Sequence, residues 1–239
     1  MCIEIIFFLK ENTRIKLNNT GLNMKISDIL IFLLQISETA SCLVGFIYFS
    51  KVKYSYWKFF PLYLAFIAIS EYIGPFLPKK ANELFYNDLV IPVEFLFFFW
   101  LFYKSFKKEK FKSLPLFCGG IYLLSSLAES QFYSKQQHFF SSFSYTIGNL
   151  LLLILILRFY IQLVSSDEIV FFRQNMLFWI CIGLLIFFLG SFPYYGLLNQ
   201  SWKTYPRIMP IYRYIVLVFN SAMYIMFAIS FVLGKPSKK

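Results

Sequence analysis

The clearest feature of the chain is an apolar run from Asn87 to Lys108, NDLVIPVEFLFFFWLFYKSFKK. Apart from Glu94 and the residues at either end, its positions are almost all aromatic or aliphatic. A helix of about twenty residues is roughly 30 Å long, which is enough to cross the hydrocarbon core of a bilayer. The run therefore predicts a transmembrane helix with a carboxylate near its middle and a lysine cluster at its end.

Similar runs occur along most of the chain, so we predict an all-α polytopic bundle of seven transmembrane helices. The fourth run is the least apolar, because Gly119, Gly120 and several serines interrupt it. The predicted spans are Ile26–Phe49, Phe59–Leu77, Leu84–Phe106, Leu114–Phe132, Phe139–Val164, Met176–Leu197 and Ile208–Leu233.

The two ends of the chain depart from this pattern. In residues 1–23 the apolar run Ile5–Leu9 is too short for a signal-peptide core, and polar residues follow it. We expect this segment to be a disordered tail or an over-long start, with the functional part of the chain beginning at about Met24. The transmembrane domain is predicted over 24–235, and 236–239 is predicted to be a short basic cytoplasmic tail.

The basic residues predict the orientation. Thirteen lysines and arginines fall on one side, in Lys51–Lys58, Lys104–Lys112, Arg158–Arg173 and after Leu233, and nine fall on the other side. Because cytoplasmic loops carry the excess of Lys and Arg, the N-terminus is predicted outside and the C-terminus inside.

Composition supports the membrane assignment and excludes several functions. The chain is 59% hydrophobic and 22% aromatic, with a mean hydropathy of +0.63, which lies outside the range of soluble domains. The net charge of +11 comes from lysines in short loops, where lipid headgroups account for it. We therefore expect the lipid bilayer as a partner and no nucleic acid.

Polar residues recur inside the predicted spans, and the rise per residue places several near the bilayer midplane. Gln35, Glu38 and Cys42 follow one another at helical spacing, as do Ser142, Tyr145 and Asn149, so each helix has one polar stripe. The candidate ligand- or ion-binding residues are Glu38, Glu71, Glu94, Glu129, Asn149, Arg213 and Asn220, with Asn87, Tyr145 and Tyr224 as secondary candidates.

Two interpretations of these residues remain open. In one, they only join helices by hydrogen bonds, which average about 0.6 kcal/mol in membrane proteins. In the other, they line a polar cavity, open to the outside, that binds a cation, a proton or a small polar ligand, with Arg213 as a counter-charge for Glu71 or Glu129. The second agrees better with a cost of roughly 2.5 to 3.5 kcal/mol for inserting one acidic side chain.

Catalytic residues, metal ligands and cofactors are not expected. His138 has no second histidine nearby, and the cysteines show no CxxC spacing. Nor do the spans contain a Ser-His pair or a Gly-x-Ser-x-Gly motif, so an intramembrane enzyme acting on lipid through its glutamates is the less favoured alternative.

Glu71-Tyr72, the run FLFFFWLFYKSFKK with Asn87 and Glu94, and Asn220 in a final YIMFAISFVLG helix resemble a group of small bacterial seven-helix integral membrane proteins. The resemblance implies the fold and a location in the inner membrane, and no activity. The architecture is also distantly similar to the seven-helix input modules of bacterial membrane sensors. We therefore expect a sensor that signals through a cytoplasmic protein at Lys104–Lys112, with a small transporter or proton-coupled carrier as the alternative.

Overall fold

The computed structural model describes residues 21–106, 109–133, 142–196 and 209–236. These residues are almost entirely helical, and strand pairing among them is limited to a bridge between Asn175 and Lys235. The long helices of the described chain are α1 (Gly21–Ile47), α2 (Phe59–Ile73), α3 (Ile91–Ser105), α4 (Glu109–Tyr133), α5 (Ser142–Val164), α6 (Met176–Gly196) and α7 (Met209–Leu233).

Six helical segments of the described chain are long and apolar enough to cross a bilayer. They are Ile26–Ile47, Tyr56–Phe76, Lys80–Ser105, Phe111–Gln131, Phe143–Val164 and Ile211–Leu233. The shortest have 21 residues, or about 32 Å of helix, and α6 adds a shorter apolar stretch, Met176–Ser191. The all-helical prediction is thus confirmed, and the chain has the features of a multi-pass membrane protein.

Helix starts agree with prediction where the apolar run begins abruptly. Helices α2 and α6 begin at the predicted Phe59 and Met176, whereas α1 and α4 each begin five residues early, at Gly21 and Glu109. Helical hydrogen bonding continues into polar residues at the membrane surface, which apolarity alone does not mark. Residues 1–20 and 237–239 lie outside the described chain, so most of the predicted tails does too.

The third apolar segment is interrupted. A short helix, Lys79–Phe85, passes through a π-helical turn, Tyr86–Val90, directly into α3. Pro92 follows two residues later and has no backbone N–H to bond the carbonyl of Asp88, so regular α-helical bonding cannot continue through this point. The segment therefore consists of two helical parts in one membrane crossing.

The helices form a ring in chain order. Most helices pack against the next one in the chain, and α7 packs closely against both α6 and α1. Helices α2 and α3 meet through aromatic side chains, since the rings of Tyr63 and Phe97 stack with centroids 4.2 Å apart. Closing the ring brings the first and last helices together around a shared interior.

Side chains divide between that interior and the outer surface. Large aromatic residues, including Phe60, Phe98 and Phe227, are fully buried. On the outside, Phe32 of α1 and Leu189 of α6 are more than half exposed. Exposed apolar side chains on helices of this length are expected where lipid, not water, is the solvent.

Candidate functional site

Three glutamates from three different helices converge in the interior. Glu38 of α1, Glu71 of α2 and Glu94 of α3 are each less than one tenth exposed. Electrostatic interactions link them to one another and to two buried tyrosines, Tyr63 of α2 and Tyr224 of α7. These five residues are called the carboxyl cluster below.

The two tyrosines hold the glutamates through their hydroxyl groups. The Tyr63 hydroxyl lies within hydrogen-bonding reach of the Glu94 carboxyl group, and the Tyr224 hydroxyl within reach of Glu38. Each pair joins two helices, α2 to α3 and α7 to α1. A phenol can donate to a carboxylate or accept from a carboxylic acid, so these contacts suit either protonation state.

The α1 sequence places Glu38 inward by helical spacing. Leu34, Glu38, Ser41 and Gly45 are three or four residues apart and all buried, whereas Phe32 and Leu43 face outward. A Cβ at Gly45 would lie 3.1 Å from Phe231 and 3.3 Å from Pro61, so glycine lets α1 approach both neighbouring helices.

A tyrosine of the segment that precedes α3 forms a hydrogen bond with Glu71. Tyr86, in the π-helical turn, directs its hydroxyl at the Ser70 carbonyl oxygen, 3.0 Å away, and at the Glu71 Oε2, 3.3 Å away. A Cβ at Gly74 would lie only 2.6 Å from the Tyr86 hydroxyl oxygen, so the end of α2 needs glycine to admit this ring. The turn thus positions one member of the carboxyl cluster.

One carboxyl oxygen of Glu94 can accept a further hydrogen bond. Its Oε2 is buried and makes no hydrogen bond within the described residues. A buried acceptor of this kind costs about 1–3 kcal/mol unless something satisfies it. No set of three or more His, Cys, Asp or Glu residues in the described chain is arranged to hold a metal ion. The free Oε2 of Glu94 can carry a proton or accept a hydrogen bond from a small ligand.

A second set of buried polar residues lies where α4 and α5 pack against α3. The Phe95 ring packs against Tyr122 of α4 and Tyr145 of α5, with centroids 4.8 Å and 5.6 Å apart. Nearby on α5, Asn149 is 2% exposed, and neither atom of its amide has a hydrogen-bond partner among the described residues. This amide is a second buried site with unmet hydrogen-bonding capacity.

The remaining predicted residues lie in different settings. Arg213 and Asn220 are both buried on α7, on the helix that carries Tyr224. Asn87 is partly buried in the π-helical turn. The interior thus contains most of the predicted polar residues.

Glu129 lies in contact with the backbone at the start of α5. Its two carboxylate oxygens accept hydrogen bonds from the backbone N–H groups of Phe143, at 3.1 Å, and Ser144, at 2.8 Å. These are N–H groups of the first turn of α5, which have no partner within the helix. Glu129 therefore anchors the start of α5, and we leave it out of the carboxyl cluster.

Sequence reasoning missed Tyr63 and Tyr86 as members of the site. Tyr63, Ile67 and Glu71 are spaced four residues apart, so the sequence did contain a signal that Tyr63 shares the face of Glu71. Tyr86 carried no such signal, because the π-helical turn changes the relation between position and face. No family model, no curated protein and no solved structure matches this chain.

Proposed function

We propose that the carboxyl cluster binds a proton, a cation or a small polar ligand, and that the protein reports this binding to a cytoplasmic protein. In this proposal the chain crosses a bacterial inner membrane seven times, with α6 as the remaining span, the N-terminus outside and the C-terminus inside. The excess of lysine and arginine in the loops supports the orientation.

The observation that carries the proposal is the burial of three glutamates within electrostatic reach of one another. Each acidic side chain placed at the centre of a membrane helix costs roughly 2.5 to 3.5 kcal/mol. An interhelical hydrogen bond returns about 0.6 kcal/mol on average, so helix joining alone does not offset three such residues. Ionisable residues inside a membrane are by default candidates for a functional site.

The arrangement of the cluster also supports signalling. Its members come from α1, α2, α3 and α7, so a change in charge or occupancy acts on the packing of four helices at once. Helix α3 leads directly to the basic segment Lys104–Lys112, where we place the protein partner. A partner bound there should be lost from the purified complex when these lysines are neutralised.

The test is a thermal-unfolding screen of the purified chain across pH and a panel of monovalent cations, amines and amino acids. A ligand present at a hundred times its dissociation constant stabilises the folded state by about 2.7 kcal/mol, or roughly 5–10 °C for a chain of this size. We expect at least one condition to give such a shift in the wild type. In Glu94→Gln the shift should fall by more than half, because the amide keeps the shape and loses the ionisable oxygen.

Asp88→Asn is the matched control. Asp88 is exposed and lies six residues before Glu94, so its substitution removes the same charge from the same segment without touching the cluster. The control should respond like the wild type. If no condition shifts the wild type, and Gln variants of Glu38, Glu71 and Glu94 are all as stable as the wild type, the proposed site is wrong.

A small transporter is the second candidate, and the interrupted third segment favours it. π-Helical turns inside helices are frequent at functional sites, and transporters commonly place irregular helix segments beside their binding sites. Transport requires the interior to open to each side in turn, whereas a sensor need not open to both.

Cysteine labelling separates the two candidates. Tyr145 is buried and lies outside the carboxyl cluster, so a cysteine placed there reacts with a membrane-impermeant maleimide only when the interior opens. In a background without Cys2, Cys42, Cys118 and Cys181, a transporter should be labelled from both sides, with ligand changing the ratio. Labelling from one side only, whatever the ligand, contradicts transport and leaves the sensor.

A further inference from the structure

A basic crevice lies at the end of the bundle away from Glu71, where three parts of the chain meet. It has a volume of about 770 Å³ and is lined by the link between α1 and α2, the end of α3 and Pro236 after α7. Volumes of about 300–1,000 Å³ are typical of small-molecule sites. The crevice shares no residue with the carboxyl cluster.

The lining of the crevice is strongly positive. Among the described residues it includes Lys51, Lys53, Lys58 and Lys104 and contains no acidic residue. Aromatic rings, in place of carboxylates, flank three of these lysines: Lys53 lies 4.7 Å from the centroid of Tyr54 and Lys58 lies 5.1 Å from that of Phe59, while Lys104 lies beside Tyr103. Their positive charge is therefore concentrated here without a carboxylate of the described chain in the lining to neutralise it.

Lys51 is fixed at the inner edge of the crevice. Its Nζ donates to the carbonyl oxygens of Phe231 and Val232, at 3.0 and 3.2 Å, in the last turn of α7. Partial burial and the neighbouring Lys235 lower the pKa of its ammonium group. The Lys235 effect reflects positive charges lying close together at this end of the bundle, and such charges attract an anion.

An aromatic wall closes one side of the crevice. Trp100 of α3 packs edge-on against Phe59, at 5.4 Å, and against Tyr56, at 6.4 Å between centroids. Tyr56 is also hydrogen-bonded to Ser105, at 3.1 Å. Tyr and Trp are enriched where a membrane helix meets the headgroup layer, so the wall places the crevice at headgroup depth.

We propose that this crevice binds a phosphate group carried by a small anionic molecule, either the headgroup of an anionic phospholipid or a free phosphorylated compound. Lysine ammonium groups recognise phosphate as point charges, and the aromatic wall and Pro236 supply an apolar side for the rest of the molecule. The lysines that set the orientation of a membrane protein can lie anywhere in its cytoplasmic loops. Here, four lysines from two separate segments line one crevice, which an orientation signal does not require.

The experiment uses the full chain in nanodiscs and measures its melting temperature. Discs of phosphatidylcholine alone are compared with discs that also contain phosphatidylglycerol, and with phosphatidylcholine discs given millimolar glycerol phosphate. We expect one of the two anionic probes to raise the melting temperature of the wild type by roughly 5 °C. The response to phosphatidylglycerol alone identifies a lipid headgroup, and the response to glycerol phosphate alone, or to both, identifies a site open to free phosphate compounds.

The variant Lys58→Gln/Lys104→Gln should lose at least half of that shift. Lys51 is left intact, because its hydrogen bonds to α7 make it structural. The matched control, Lys112→Gln/Arg173→Gln, removes the same charge from exposed positions outside the crevice and should respond like the wild type. The proposal is overturned if neither probe shifts the wild type, or if the two double variants lose the shift equally, since that result would be general electrostatic attraction to the surface.

Discussion

Replacing Phe60 by alanine is expected to lower the free energy of unfolding by about 3 kcal/mol. Truncation of a buried phenylalanine costs about 3–5 kcal/mol, and the lower value applies because the transfer part of this cost is small in lipid. The substitution removes the ring of Phe60, which is fully buried on α2. That ring lies within 6.4 Å, between centroids, of five others: Trp57, Tyr63, Phe97, Phe227 and Phe231.

The effect reaches beyond α2, because these neighbours belong to α3 and α7 as well. Unfolding of the purified chain in mixed micelles measures it. Leu62→Ala is the control: Leu62 lies on the same helix but is about half exposed, so its loss should cost less than about 1 kcal/mol. Equal destabilisation by the two substitutions would mean that the aromatic core does not determine stability.

Gly190→Ala is expected to destabilise the protein by about 2 kcal/mol, even though alanine favours helix over glycine by about 1 kcal/mol. A Cβ at Gly190 would overlap Cδ2 of Phe219 on α7 and would lie 2.6 Å from Cγ of the same ring. Because Cγ is the base of the ring, Phe219 cannot escape by a small movement of its tip. The two helices must separate, and α6 and α7 are in close contact along their lengths.

The chain offers a matched control in Gly120, an exposed glycine of α4 where an added Cβ would meet nothing within 4 Å among the described residues. Gly120→Ala should leave stability unchanged or raise it by up to about 1 kcal/mol. Adding Phe219→Ala to Gly190→Ala should recover part of the loss. A Gly190→Ala protein as stable as Gly120→Ala would show that α6 and α7 pack less closely than these distances indicate.

Helix positions could be predicted from the sequence because twenty apolar residues in a row have few alternatives to a membrane helix. Helix ends were predicted poorly for α1 and α4, since polar residues at the surface continue a helix without an apolar signal. The π-helical turn at Tyr86–Val90 was not predicted. Pro92 marked an irregularity there, but a proline alone does not say whether the helix kinks, ends or widens.

The candidate site shows a similar division. Counting residues along each span predicted how deep Glu38 and Glu94 lie in the membrane. Depth is only one of the coordinates that define the position of a side chain in the bundle. Whether two residues at the same depth meet depends on how each helix is rotated and which helices are neighbours, and a single sequence contains neither. Glu129 illustrates the difference: its depth suggested a partner in Arg213, and depth gave no sign that its carboxylate accepts hydrogen bonds from two backbone N–H groups of α5.

Ring closure has a consequence for how the protein is made. Lys51 binds carbonyl oxygens at the end of α7, 180 residues further along the chain, and Glu38 of α1 meets Tyr224 of the same last helix. Because synthesis proceeds from the N-terminus, α1 enters the membrane long before its hydroxyl partner exists. During that interval Glu38 must be accommodated by water, by the insertion machinery or by Glu71 and its neighbours on α2. The contacts that join α1 to α7 therefore form only after the last helix has been made.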